Sequence, residues 1–360
     1  MVSRRVVLTQ LSIADYRDKF IELLSERLPG LEVQVGEQYF EQSTKTSSYV
    51  RRQRYVDLVK NQYRFARKVV WQGLSWRRIA MADVVVGELN PRILSTWVML
   101  LLRRLLGKRT LLWGHAWPRA GAQARSDCIR GLMRALSSGL ILYTESQKSE
   151  LLLRYPNRLT GCFVAPNALY RSEEMVPCRG RVAPTDFIYV GRLVASKKVD
   201  ILLHAFRLFV AVHPESQLHI VGTGDQYAML QGVVRDHSIP GVTFHGHIAE
   251  LNDLRAIYDT CVASVSPGYV GLSVTQSFSL GVPMIISRNE PHSPEIECVV
   301  DGVNASFFET DAPASLCGEM ESWYGRAGQH DDRAAAIAAD CKNRYSVERM
   351  VAGFVEAVNA

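Results

Sequence analysis

The chain has no D-x-D triplet, no C-x-x-C pair, no long apolar run and no low-complexity segment. Each absence removes a class of protein. The seven cysteines, Cys128, Cys162, Cys178, Cys261, Cys298, Cys317 and Cys341, are odd in number and scattered. Neither a zinc site nor a disulfide framework is expected from that spacing, and reduced thiols in a cytosolic protein are the simpler reading. The most apolar stretch, 97–106, is interrupted by Arg103 and Arg104. It is much shorter than the roughly 20 residues that span a bilayer. The N-terminal MVSRRVVLTQL lacks a long apolar core and an A-x-A-like cleavage site, so it is expected to be a first strand and not a signal peptide. The chain is therefore expected to be cytoplasmic, either soluble or peripheral on the inner face of the membrane.

What is present is ordinary globular composition. In 360 residues, 47% are hydrophobic and 22% charged, enough apolar mass for two cores. The net charge of +6 conceals an asymmetry. Residues 1–170 hold 27 Lys/Arg and 13 Asp/Glu; residues 171–360 hold 15 and 23. Only the first half is suited to an anionic partner, whether a membrane surface, a lipid diphosphate or nucleic acid.

Both halves alternate short β-branched runs with amphipathic stretches, the pattern of doubly wound parallel sheets. In the first half the strand candidates are RRVVLTQL, LEVQV (31–35), ADVVVGE (82–88), RTLLWGH (109–115), GLILYTE (139–145) and GCFVAP (161–166). In the second they are DFIYVGRL (186–193), SQLHIVGTG (216–224), VTFHGH (242–247), CVASVSP (261–267), PMIISR (283–288) and ASFFE (305–309). Residues 1–172 are expected to form one domain, 173–185 a linker and 186–345 a second domain, with a last helix, 346–360, packing back on the first. Two such α/β domains predict a cleft between the carboxyl ends of their sheets, where ligands of open sheets bind.

Three segments of the second half carry candidate chemistry. In FIYVGRLVASKK a strand ends at Gly191, with Arg192 and Lys197 just beyond it and a helix following. Two cations there fit a diphosphate site, or a solvated basic turn. Gly222 and Gly224 form a G-x-G after the next strand, which suits close backbone approach or an ordinary βα turn. In SPGYVGLSVTQSFSLGVPMIIS, a loop holding Gly268, Tyr269, Gly271 and Leu272 leads into a helix. Its amides could meet phosphate, or the turn could serve packing alone.

Together, the GRL-x-x-x-K run, G-x-G-D, the Tyr258–Asp259 helix end, GLSVTQSFSLGVPMI and PHSPEIECVVDGVNASFF (291–308) resemble the donor-binding domain of glycosyltransferase family 4, whose fold is GT-B. The likeness is strong over 186–310. It is weak in the first half, through TLLWGH, LYTES and VAPNAL. It implies a retaining, metal-independent transfer of a sugar from a nucleotide-sugar donor to an acceptor hydroxyl. No cofactor is implied, since the nucleotide sugar is a co-substrate. Arg192 and Lys197 would neutralise the leaving diphosphate, and the missing D-x-D makes them more necessary. Gly191, Gly222, Gly224, Ile248, Gly268, Tyr269, Gly271, Leu272, Gln276 and Glu295 would line the donor site. His115 would touch the donor sugar, or be satisfied at its strand end, with Trp113 and Trp117 stacking on sugar or packing.

The family usually carries two glutamates seven residues apart in this loop; here they are Gly268 and Gln276. A glutamine amide can still bond ribose hydroxyls, but glycine cannot replace a carboxylate. The departure leaves open a catalytically silent protein that binds a nucleotide sugar or a partner transferase. The first half is expected to bind the acceptor, a glycan or lipid-linked glycan of a bacterial surface polysaccharide, with Tyr16 and Arg17 facing it. The basic run RRQRYVDLVKNQYRFARK (51–68) suits anionic lipid headgroups or a solvated helix face. No nucleic-acid module is recognisable, so nucleic acid is not an expected partner.

Overall fold

In a computed structural model the protein is described at residues 4–42, 44–118, 121–124, 126–156, 161–178, 184–327 and 330–360. Residues 179–183 of the expected linker lie outside these. The chain divides into two compact units, 1–171 with 347–360, and 172–346.

The first unit is built on seven parallel strands. They are β1 (Val6–Gln10), β2 (Leu31–Val35), β3 (Val56–Leu58), β6 (Val84–Glu88), β7 (Arg109–Trp113), β8 (Gly139–Leu142) and β9 (Cys162–Val164), in the order β3-β2-β1-β6-β7-β8-β9. A separate antiparallel hairpin pairs β4 (Asn61–Arg64) with β5 (Val69–Gln72). Helices cover both faces, so β1 is buried at every position and reads as an unbroken apolar run. Phe20, Trp113 and Phe354 meet ring to ring at 5.4–5.7 Å in its core. Phe354 comes from the last helix, Val347–Asn359, which packs on the helix Asp18–Arg27 and on β8 and β9.

The second unit holds β10 (Asp186–Val190), β11 (Leu218–Val221), β12 (Val242–Gly246), β13 (Cys261–Ser266), β14 (Met284–Ser287) and β15 (Ala305–Phe308). All are parallel, in the order β12-β11-β10-β13-β14-β15. Each sheet changes winding direction beside its first strand, between β1 and β6 and between β10 and β13. Such a switch point opens a crevice at the carboxyl ends, because the chain departs to opposite sides there.

The basic run 51–68 is not one helix. It is a turn followed by β3, β4 and a tip where Phe65, Ala66 and Arg67 are all left-handed, with φ of 51°, 51° and 62°. Several of its cations are spent internally. Arg51 pairs with Glu37 at 3.2 Å, and Arg67 donates to the carbonyls of Tyr39 and Phe40 while covering the Tyr63 ring at 3.6 Å.

Arg103, which breaks the apolar run, is wholly buried. It uses all five N–H groups. Nε donates to the Thr110 hydroxyl, and the two terminal nitrogens donate to the carbonyls of Ile79, Ala82, Asp83 and Arg109 at 2.5–3.1 Å. The guanidinium therefore closes the carbonyl end of the helix Trp76–Met81 and the start of β7. Lysine keeps the charge but offers three donors. Arg103→Lys is expected to destabilise the protein by about 2 kcal/mol through the acceptors it orphans. An unchanged melting temperature would show that water takes up those carbonyls without loss.

Candidate functional site

In the first unit, a cavity of 310 Å³ sits at the switch point, at the carboxyl ends of β1, β6, β7 and β8. Gln10, Glu88, His115 and Tyr143 reach it from those strand ends, and Tyr16 and Arg17 from the turn after β1. Tyr16, Arg17 and His115, distant in sequence, thus line one space. Arg17 lies 4.5 Å over the Trp113 ring, and its Nη2 donates to the Tyr143 hydroxyl and to Asn167 Oδ1, both at 3.2 Å. Trp113 itself is core. Trp117 is buried too, donating to Glu150 Oε2 at 2.7 Å.

The His115 ring opens onto the cavity and packs 4.8 Å from Tyr143. His115 keeps an exposed edge, but the protein packed around its ring desolvates it and, with the Arg130 and then the Arg17 charge close by, pushes its pKa down to about 4. It is a neutral imidazole at physiological pH, able to hydrogen-bond a hydroxyl without adding charge. Arg130 holds the turn by donating to the carbonyls of Leu89 and His115.

Glu88 was not singled out by sequence reasoning. Its Oε1 accepts the Leu11 N–H at 2.5 Å, and burial raises its pKa to about 7 against the opposing pull of that N–H and Arg17. A carboxyl whose pKa burial shifts toward neutrality, with a fixed guanidinium lining the same cavity, is a strong polar feature for a ligand's hydrogen-bonding groups. Nothing in ADVVVGE distinguishes it from a strand's terminal residue.

In the second unit, the strand-end loops lie directly on one another. Gly191 N donates to Val221 O, Leu193 N to Thr223 O and Gly222 N to Gly246 O, at 2.7–3.0 Å. The glycines permit this. A Cβ on Gly222 would fall 1.9 Å from Gly191 O, and one on Gly224 2.1 Å from Leu193 O. Ile248 packs at the edge of the apolar cluster beneath.

This stack sets the two cations. Arg192 is exposed, with its carbonyl held by the Tyr189 hydroxyl at 2.9 Å. Lys197 is half-buried. Its Nζ donates to Tyr269 O at 2.7 Å and lies 3.6 Å over the Tyr269 ring. Burial, then the Arg192 charge, lowers its pKa to about 8. Lys198, next in the chain, is left-handed at φ 52° and ion-paired with Glu290 and Asp311 at 2.6 and 2.7 Å. Of two adjacent lysines, one is thus tied to carboxylates while the other faces a carbonyl and a ring.

Gly268 lies against the same segment. A Cβ there would sit 2.4 Å from Ser196 O and 2.8 Å from Lys197 Cα. The following loop is pinned by His292, another residue outside the sequence expectations. Its Nδ1 accepts the Val270 N–H at 3.0 Å and its Nε2 faces Ser287 O at 2.9 Å, so the ring is neutral, and burial lowers its pKa further. Gly271 and Leu272 are half-buried before the short helix Ser273–Ser279, which carries Gln276 on a half-buried face. Glu295 is almost fully buried in the 3-10 turn Pro294–Cys298, whose leading residue Ser293 bonds Val270 O at 2.9 Å.

Comparison with known proteins gives the class. Residues 184–325 match the family described as Glycosyl transferases group 1. A 114-residue stretch is 31% identical to a Mycobacterium tuberculosis glycogen synthase, covering 31% of this chain and 27% of that protein's length. Among solved structures, Anabaena HepE in complex with UDP superposes with a TM-score of 0.74 over 99% of each chain at 13% identity. Sucrose-phosphate synthase from Thermosynechococcus elongatus gives 0.67, covering 99% of this chain and 98% of that one at 14% identity. The lipopolysaccharide outer core galactosyltransferase WaaB gives 0.65 over 98% of each at 16%. The fold is that of the GT-B glycosyltransferases. The stretch that matches the family model lies wholly within the second unit.

Proposed function

We propose that this protein transfers a sugar, with retention, from a nucleotide-sugar donor held by the second unit to a hydroxyl of a glycan or lipid-linked glycan received by the first. The observation that carries this reading is Lys197. Its ammonium is fixed on Tyr269 O, partly desolvated, and neighbours the exposed Arg192 at the end of β10. Fixed positive charge out of bulk water stabilises a leaving diphosphate without reorganising at the moment of bond cleavage. In this reading the two side chains take the place of a metal ion. Neutral His115, Arg17 and Glu88 would orient sugar hydroxyls in the 310 Å³ cavity. HepE is known with UDP and with UDP-glucose, which supports a uridine nucleotide as the first to try.

A thermal-shift panel of UDP, GDP and ADP, each with and without EDTA, tests it. A nucleotide at 100 times its dissociation constant adds about 2.7 kcal/mol to stability. At least one should raise the melting temperature, undiminished by EDTA. A flat panel would remove the donor reading. The second reading, a silent binder, is favoured by the backbone contact at Gly268, which leaves no room for a carboxylate. It predicts the same shift with no donor turnover.

A further inference from the structure

Beside the elements that line its cavity, the first unit exposes an apolar face. In the helix Leu94–Leu105, Leu94, Val98, Leu101 and Leu105 follow one another at steps of four, three and four, a single stripe of an α-helix. All four are exposed, Leu105 at 87%. The opposite side, with Ser95, Met99, Leu100 and Arg103, is buried in the unit. The helix Asp127–Leu136 packs alongside and exposes Ile129 and Leu132. Monomeric proteins seldom present so continuous an apolar stripe to water without a use for it.

The stretch of chain that builds this face carries charge of almost one sign. Residues 89–144 contain nine Lys/Arg and a single acidic residue, Asp127. That carboxylate is buried in a bidentate pair with Arg134 at 2.8–2.9 Å. Arg104 stands exposed at the end of the leucine stripe, its guanidinium bonded to the carbonyl of Ala135, and Lys108 follows it. Any occupant of the face must therefore be apolar at its centre and anionic at its border.

We propose that this face docks on an anionic bilayer surface, with the leucine stripe lying among the headgroups and Arg104 and Lys108 against lipid phosphates. A helix with one apolar stripe and cations at its end lies in the interface plane. No helix among the described residues is long and apolar enough to cross a membrane, so the contact is superficial. A second copy fits the face poorly. Two-fold pairing sets Arg104 and Lys108 against their own kind, with no exposed carboxylate in 89–144 to offset them. The proposal stands independently of the donor site in the second unit.

The full chain would be sedimented with vesicles of phosphatidylcholine containing phosphatidylglycerol, and with phosphatidylcholine alone. Binding is expected to the anionic vesicles and to weaken with salt. Replacing both Leu101 and Leu105 by aspartate should lower the partition coefficient about tenfold or more, since the stripe is lost and negative charge brought to the lipid. Replacing Arg104 and Lys108 by glutamate should do likewise, at about tenfold or more. Leu101, Leu105 and Arg104 are exposed and Lys108 is half-buried, so neither double variant opens the core. Circular dichroism and the nucleotide thermal shift should match the wild type, separating lost docking from lost fold or a failed donor reading. Equal sedimentation of the leucine variant and the wild type would overturn the proposal. So would no binding to anionic vesicles, or a wild-type dimer that the leucine variant dissolves.

Discussion

Lys197→Ala is expected to lower kcat/KM for donor turnover about 10²–10³-fold while leaving the fold intact, and Arg192→Ala to do nearly as much. The amine contributes little to packing; its contacts are the Tyr269 carbonyl and ring face. Circular dichroism should therefore be unchanged. Both charges would act together on one leaving group, so the double variant should lose less than the product of the single losses. Lys197 also gives a pH test whose sign is fixed. Burial beside Arg192 lowers its pKa to about 8 in the nucleotide-free protein. Below that pH the ammonium is present. As pH rises through 8 the charge is lost, and nucleoside diphosphate affinity should fall. Because linkage is reciprocal, a bound diphosphate raises the lysine pKa, and binding near pH 8.5 should take up a proton. Calorimetry in buffers of differing ionisation enthalpy reads that uptake directly. Wild-type turnover in both single variants would end the assignment of the cations.

Much of the fold is visible in the sequence because parallel strands covered on both faces must be apolar throughout. VVLTQ, VVVGE and DFIYV leave little choice. β3, β4 and β5 escaped notice for the opposite reason. β3 and β4 lie inside, and β5 directly after, a basic stretch in which Arg51 and Arg67 are satisfied by Glu37, carbonyls and a ring, none of which periodicity reports. Site residues divide the same way. Gly191, Arg192 and Lys197 fall in one short segment at a strand end, so spacing alone brings them together. Glu88 matters through the Leu11 amide and Arg17, and His292 through Val270 and Ser287. Those partners become neighbours only when the sheet forms. Arg103 shows the limit most plainly. In sequence it interrupts an apolar helix; in the fold its five donors answer five acceptors drawn from two separate segments, 79–83 and 109–110.

Gly268→Glu, which restores the side chain usual in the resembled family, is expected to damage the protein instead of improving it. The backbone at Ser196 and Lys197 occupies the space a Cβ needs, at 2.4 and 2.8 Å, and a backbone atom cannot rotate aside as a side-chain tip can. Either the Gly268 loop or the Lys197 segment must move, at a cost of about 3 kcal/mol. Moving the Lys197 segment also draws its amine from Tyr269 O, so nucleotide affinity should fall with stability. Gly268→Ala separates space from charge. It brings the same Cβ without a carboxylate and should lose most of the same stability. If alanine is tolerated and glutamate is not, charge repulsion in the loop is the cause, not close approach. If glutamate is tolerated and turnover rises, the glycine is a simple loss from an ancestral site and the silent-binder reading gains. The expected result, loss in both, means that this chain exchanged a carboxylate for direct backbone contact between the cation-bearing turn and the loop after β13. The donor sugar would then be held by groups other than the usual glutamate.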